Sequence, residues 1–171
     1  MEARAKLFGH PIHQMLIVFP LGLLATALFF DLIALAMNRH QGLFSASYYM
    51  IAAGIVTGLL AAVFGLMDFL KIPSGTRAQR VGRLHGVGNV VVVVLFAASW
   101  WLRRGTPADP PTLAIVLAAA GAGLAIFTGW LGGELVGRLG VGVDDGAHLD
   151  APSSLGGQPA RRPRPGRGTG Q

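Results

Sequence analysis

The chain has 171 residues, of which 52% are hydrophobic and 13% are charged, and its formal charge is +6 at pH 7. Soluble domains usually contain about 25% charged residues, so this composition excludes an ordinary water-soluble domain. Cysteine is absent, which excludes disulfides, iron–sulfur clusters, thiolate zinc sites and cysteine catalysis. The cations flank apolar runs and form no aromatic-basic module, so no nucleic-acid partner is indicated.

Four apolar runs follow a short N-terminal segment, residues 1–14. A helix needs about 20 apolar residues to cross the hydrocarbon core, and the runs cover residues 15–37, 48–70, 84–102 and 113–135. In lipid every backbone polar group must be paired internally, so these runs are expected to be helices. The sequence therefore predicts one all-α domain, residues 15–142, that forms an integral membrane four-helix bundle in contact with the lipid bilayer.

The first run contains Pro20, which cannot donate a backbone hydrogen bond, so a kink is predicted near residues 16–20. The triplet Ala34-Leu35-Ala36 resembles a signal-peptide cleavage site. The apolar run before it is too long for a signal peptide, and Asp31 interrupts it. An uncleaved span is expected.

Lys and Arg are unevenly distributed between the two sides of the predicted bundle. Seven lie near the membrane on one side and three on the other, and cytoplasmic loops carry the excess. Both termini are therefore predicted to be cytoplasmic, in the inner (plasma) membrane. The seven are Arg4, Lys6, Lys71, Arg77, Arg80, Arg83 and Arg138, and the three are Arg39, Arg103 and Arg104. Four aromatic residues would form a belt at the outer interface: Tyr48, Tyr49, Trp100 and Trp101.

The C-terminal segment, residues 143–171, is rich in Gly, Pro, Asp and Arg and is predicted to be a disordered tail. Its arginine run, residues 161–167, is interpreted either as a solvated cytoplasmic tail or as a contact with anionic lipid.

Small residues recur every fourth position in the fourth run and are expected to pack against a neighbouring helix, with a homodimer interface as the alternative. They are Gly121, Ala125, Gly129, Gly133 and Gly137, and the second run has Gly54, Gly58 and Ala62.

Seven polar side chains lie in or beside the apolar runs, where an ionisable residue is costly enough to suggest a function. Six gather at the predicted cytoplasmic end, with histidine at the start of the odd spans and acid at the end of the even spans, as in a two-fold repeat. They are His10, His13, Asp68, His85, Asn89 and Glu134; Asp31 is isolated toward the outer face.

Three interpretations of this cytoplasmic-end cluster remain open. In the structural one, the acids pair with Lys71, Arg80 or Arg83 and the histidines cap helix starts, with His10 as the N-cap before Pro11. Asp31 would then accept a hydrogen bond from a Ser, Thr or Tyr of another helix.

In the second interpretation, His10, His13 and His85 are ligands of haem iron or of a divalent metal. In the third, the cluster passes protons or a small solute. An unbroken aliphatic run, residues 90–95, makes the membrane midplane unsuited to a pore.

Several stretches of the chain resemble a bacterial membrane family, the domain of unknown function 2231. The opening of the chain reads GHPIHQMLIVFPLGL, residues 9–23, and is similar to the family signature HPxHxxLxxFPxGL. Further similar stretches are Asp68 with Ile72-Pro73, RLHGVGN at residues 83–89, GWLGGELV at residues 129–136 and GVGV at residues 140–143.

The resemblance implies a four-span domain without an assigned activity. Some relatives are joined to Rieske or cytochrome c-like modules, which implies a link to electron transfer. Relatives often have His where Val18 stands and an aromatic-basic-His triplet where Gly137, Arg138 and Leu139 stand. If those histidines are metal ligands, this chain lacks two of them.

The expected function is therefore binding or assembly at the cytoplasmic-end cluster, without catalysis, because no serine lies in a nucleophile motif. The alternatives are a haem- or metal-binding redox protein and a proton or solute conduit. The protein partner that these functions imply is a redox protein or another membrane protein.

Overall fold

A computed structural model describes residues 1–160 of the chain. In this part of the chain, a short helix α1, Ile12–Leu16, leads directly into α2, Val18–Ala36. Three longer helices follow: α3, Gln41–Phe69, α4, Arg77–Arg103, and α5, Thr112–Gly137. With α1 and α2 counted together, four helices are long and apolar enough to cross a membrane. The prediction of an all-α bundle of four membrane helices is confirmed.

Most of the helices are longer than the predicted apolar runs. Capping side chains stabilise helical turns that lie outside the apolar run, at the helix ends. The hydroxyl of Thr76 accepts a hydrogen bond from the backbone N–H of Gln79, 3.1 Å, and α4 begins at Arg77. His40 caps α3 in the same way, so this helix begins at Gln41. The loops that connect the helices are therefore shorter than the segments between the predicted apolar runs.

The predicted kink is present as a break at Ile17 between α1 and α2. Pro20 has no N–H with which to bond the carbonyl group four residues earlier, so the ladder is interrupted one turn before the proline. The break separates the turn that carries His13 from the rest of the span.

The helices form two antiparallel hairpins. Helix α2 packs along α3 and α4 packs along α5, while contacts between α3 and α4 join the hairpins. Aliphatic side chains and one aromatic ring fill the centre of the bundle: Leu24, Ala27, Ile51, Val92, Phe96 and Ala118. The outer surface is also apolar, with Leu21, Val56, Val94 and Ile126 exposed, as expected of a surface that faces lipid.

Only part of the predicted small-residue packing is present. A Cβ at Gly54 would lie 2.6 Å from Leu24, and one at Gly121 would lie 2.9 Å from Phe96, so both glycines permit close helix contact. The prediction was wrong for Gly129, Gly133 and Gly137, which have no atom within 4 Å of a Cβ position. The four-residue spacing shows that these residues lie along one face of α5. It does not show whether that face contacts another helix or lipid.

The N-terminal segment folds across the predicted cytoplasmic end of the bundle. Strands β1, Lys6–Leu7, and β2, His10–Pro11, pair antiparallel around a turn in which Phe8 and Gly9 have positive φ. The ammonium of Lys6 donates to Asp144 and to Glu2, and these hydrogen bonds raise its pKa above the usual 10.5. The segment is thereby held to the chain that follows α5.

Residues 143–160 form turns and a short 3-10 helix, Ser154–Gly156, beside the N-terminal segment. The predicted arginine run, residues 161–167, lies outside the described residues.

Candidate functional site

Two histidines meet where the hairpins adjoin. The rings of His13, on α1, and His85, on α4, have centroids 6.5 Å apart and planes at 89°. Each ring is held by a helix of its own hairpin, so the pair bridges the two halves of the bundle. It lies at the predicted cytoplasmic end of the membrane spans.

His13 is fixed by a backbone group of α3. Its Nδ1 lies 2.8 Å from the carbonyl oxygen of Ala61. A carbonyl can only accept, so Nδ1 carries a proton and donates it, and Nε2 is the ring nitrogen not used in this bond. The ring lies directly against Gly65, where a Cβ would come within 2.8 Å of Cε1.

His85 is fixed in the same way by α5. Its Nδ1 donates to the carbonyl oxygen of Thr128, 2.8 Å, and its ring lies against Gly132. The side-chain amide of Asn89 donates to Nε2 of His85, 3.2 Å, and to the carbonyl of the same residue, 2.9 Å. The hydroxyl of Thr128 donates to the amide oxygen of Asn89, 3.0 Å, which orients that amide.

The two hairpins therefore present their histidines through the same contacts. In each, Nδ1 donates to a carbonyl of the partner helix, and the glycine beside the ring lies four residues after that carbonyl: Ala61 with Gly65, and Thr128 with Gly132. This repetition agrees with the two-fold arrangement suggested by the sequence.

The other members of the cytoplasmic-end cluster do not join the histidine pair. His10 lies in β2 and faces Ser154, while Pro11 takes the N-cap position, so the expected N-cap role of His10 was wrong. Asp68 accepts a hydrogen bond from the backbone N–H of Arg4, 2.6 Å.

Glu134 pairs with Arg77, 2.6 Å. The expected partners of these acids, Lys71, Arg80 and Arg83, were wrong in both cases. Among residues 1–160, no group of three or more His, Asp or Glu side chains could hold a metal ion.

Asp31 lies apart from the six other candidate residues, and it has a basic partner that the sequence did not predict. Its two oxygens accept from Nη1 and Nη2 of Arg103, at 2.8 and 2.6 Å, and both side chains are fully buried. Arg103 also contacts the hydroxyls of Ser47 and Ser99, both at 3.2 Å. A serine was expected to donate a hydrogen bond to Asp31. Both nearby serines contact the guanidinium of Arg103 instead.

Further contacts close the end of the bundle that holds this ion pair. Tyr48 stacks on Trp100, with ring centroids 5.4 Å apart, and Arg39 pairs with Asp109 at 2.6 Å. The bundle thus has a buried ion pair at one end and a histidine pair at the opposite end.

Sequence reasoning missed Arg103, Thr128, Gly65 and Gly132. Arg103 adjoins Arg104 and was counted as a loop cation, although an intramembrane acid such as Asp31 calls for a cation at the same depth. The contacts of Gly65 and Gly132 depend on how the helices rotate against each other, which composition does not reveal.

The family model described as "Predicted membrane protein (DUF2231)" matches residues 9–145, which include every helix of the bundle. No curated protein and no solved structure matches the chain. The matched span begins one residue before His10 and ends just after the turn that follows α5. The chain is therefore a membrane protein that belongs to the DUF2231 family.

Proposed function

We propose that this protein binds haem within the membrane and that His13 and His85 would hold it. The observation that carries the proposal is the pairing of these rings, 6.5 Å apart, with each Nδ1 donated to a backbone carbonyl. Of the six residues in the cytoplasmic-end cluster, this proposal gives the expected binding function to His13 and His85 only.

The hydrogen bonds at Nδ1 support coordination through Nε2. Histidines that bind a metal almost always donate their other ring N–H to a carbonyl, carboxylate or water, which fixes the tautomer and makes the coordinating nitrogen more basic. Ala61 and Thr128 supply such carbonyls, 2.8 Å from the two rings. Because Nδ1 is used in this bond, Nε2 is the nitrogen of each imidazole that would coordinate iron.

The number of ligands favours haem over a free metal ion. Structural zinc sites need four ligands, and manganese or magnesium takes about six. The described residues offer two histidines and no cluster of three ligating side chains. A porphyrin supplies four ligands to its own iron, so two histidines complete the set.

The ring separation is also suitable. The ring centroids are 6.5 Å apart, so both histidines could hold the same haem. If His85 held it through Nε2, the Asn89 amide would give up its 3.2 Å hydrogen bond to that nitrogen. It would keep its bonds to the His85 carbonyl and to Thr128.

Haem held by His13 and His85 would supply one-electron transfer. The function that follows is electron carriage beside a redox partner, without catalysis by the chain itself. The conduit alternative receives no comparable support, because the centre of the bundle is filled by Leu24, Ile51, Val92 and Phe96.

We also propose that both termini lie in the cytoplasm, with the histidine pair near that face of the inner membrane. Arg103, which counted toward the outer loops, is buried within the bundle and paired with Asp31. Without Arg103, the outer side has only Arg39 and Arg104. The side of the termini still has its seven Lys and Arg residues, so the difference between the two sides becomes larger.

The test is a haem titration of the purified full-length chain in detergent. The proposal predicts a shifted Soret band with saturating binding at one haem per chain, and sharp visible bands after reduction. His13→Ala and His85→Ala should each abolish this six-coordinate spectrum, whereas His10→Ala, whose ring faces Ser154, should retain it.

Size-exclusion and circular dichroism profiles of each variant separate lost ligation from lost fold. Absence of haem binding in the folded wild-type chain, or equal spectra in all three variants, would overturn the proposal.

A further inference from the structure

The cytoplasmic end of α4 carries two arginines on the side of the helix that faces lipid. Arg80 and Arg83 are exposed, and so are Leu84, Val87 and Val90 on the same side. Leu84 and Val87 are each about three-fifths exposed, at 61% and 60%. Two cations therefore cap a continuous apolar stripe.

Arg80 and Arg83 have no acidic partner within residues 1–160, and the same is true of Arg4, Arg104 and Arg138. Arg77, by contrast, pairs with Glu134, Arg103 with Asp31, and Arg39 with Asp109. The charges of Arg80 and Arg83 therefore stay uncompensated at the end of the apolar stripe.

We propose that this end of α4 binds an anionic phospholipid. A guanidinium pairs with a phosphate through two parallel N–H bonds, and the acyl chains would lie along Leu84, Val87 and Val90. Two uncompensated positive charges favour a lipid with net negative charge over a zwitterionic one.

The experiment is native mass spectrometry of the full chain in detergent, with equal amounts of phosphatidylglycerol and phosphatidylcholine added. Wild type should retain phosphatidylglycerol preferentially. Each cation near the surface contributes about fivefold to binding, so Arg80→Gln with Arg83→Gln should reduce the preference about 25-fold.

The matched control removes two arginines from the outer side, with Arg39→Gln and Arg104→Gln. This variant loses the same charge and should keep the wild-type preference. A charge-retaining variant, Arg80→Lys with Arg83→Lys, should keep most of it. Equal loss in the inner and outer double variants, or no loss in either, would overturn the proposal. The outcome does not depend on haem, since none is added.

Discussion

The guanidinium of Arg103 spans both carboxylate oxygens of Asp31, at 2.8 and 2.6 Å, and neither side chain is accessible. Arg103 ends α4, and Asp31 lies about one turn from the end of α2. The ion pair therefore ties the two hairpins together at one end of the bundle, while His13 and His85 meet at the other. The hairpins thus contact each other through polar side chains at both ends of the bundle.

Removing one partner of the Asp31–Arg103 pair should destabilise the bundle strongly. A buried charge left without its partner costs about 3–5 kcal/mol, so Asp31→Asn and Arg103→Gln should each lower the free energy of unfolding by about that amount. Unfolding by a denaturing detergent, followed by circular dichroism, measures it.

The double variant Asp31→Leu with Arg103→Met is the control for this pair. It removes both charges and should recover most of the loss, because an apolar pair of similar volume often replaces a buried ion pair without cost. A double variant as unstable as the sum of the single ones would show that the two side chains act separately.

Alanine at Gly65 or Gly132 should weaken haem binding, because the new methyl group would meet the ring of His13 or His85. The Cβ positions lie 2.8 and 3.1 Å from ring carbons, so the larger effect is expected at Gly65. Overpacking of this kind costs about 1–3 kcal/mol, which is about 5- to 100-fold in affinity if it falls on the ligand geometry. Haem titration of each variant measures it.

Gly133→Ala is the matched control on α5, since no atom lies within 4 Å of its Cβ position. It should bind haem like wild type and be slightly more stable, because alanine is the better helix former. If the Gly132 and Gly133 variants bind haem equally, contact between Gly132 and the His85 ring has no role.

Asp68 should hold the N-terminal segment against the bundle, because its carboxylate accepts the backbone N–H of Arg4. A hydrogen bond to a charged group contributes about 1.5–3 kcal/mol. Asp68→Ala should therefore increase the rate of tryptic cleavage at Arg4 and Lys6 by about 10- to 100-fold. Asp68→Asn keeps an uncharged acceptor, so its cleavage rate should lie between those of wild type and Asp68→Ala. Identical cleavage rates in wild type and Asp68→Ala would exclude this role.

Reporter fusions test the proposed orientation. Alkaline phosphatase, active only outside the cytoplasm, should be inactive when fused after residue 145 and active when fused in the loop around Asp109. Replacing Arg77, Arg80 and Arg83 with Gln should weaken this orientation, because it removes cations from the predicted cytoplasmic side. Activity in the reverse pattern would contradict the orientation.

The spans could be predicted from the sequence because lipid imposes a length and a hydropathy that composition shows directly. The break at Ile17 was predictable from Pro20, whose missing donor acts locally. Both properties belong to a single segment and need no knowledge of its neighbours.

The contacts between helices could not be predicted in this way. Hydropathy does not show that Arg103 points inward while the adjacent Arg104 is exposed. Gly121, Gly129 and Gly133 belong to the same four-residue repeat in the sequence. Of these three glycines, only Gly121 contacts another helix. Likewise, the meeting of His13 with His85 depends on the rotation of α1 and α4 about their axes.

The most direct test of the account is the electron paramagnetic resonance spectrum of the oxidised, haem-loaded chain. Coordination by both histidines, with ring planes near the 89° seen here, predicts a low-spin signal of the strongly anisotropic type given by perpendicular imidazoles. His13→Ala and His85→Ala should each convert it to a high-spin signal. A wild-type spectrum that is already high-spin, or a low-spin signal that survives in both variants, would contradict haem ligation by this pair.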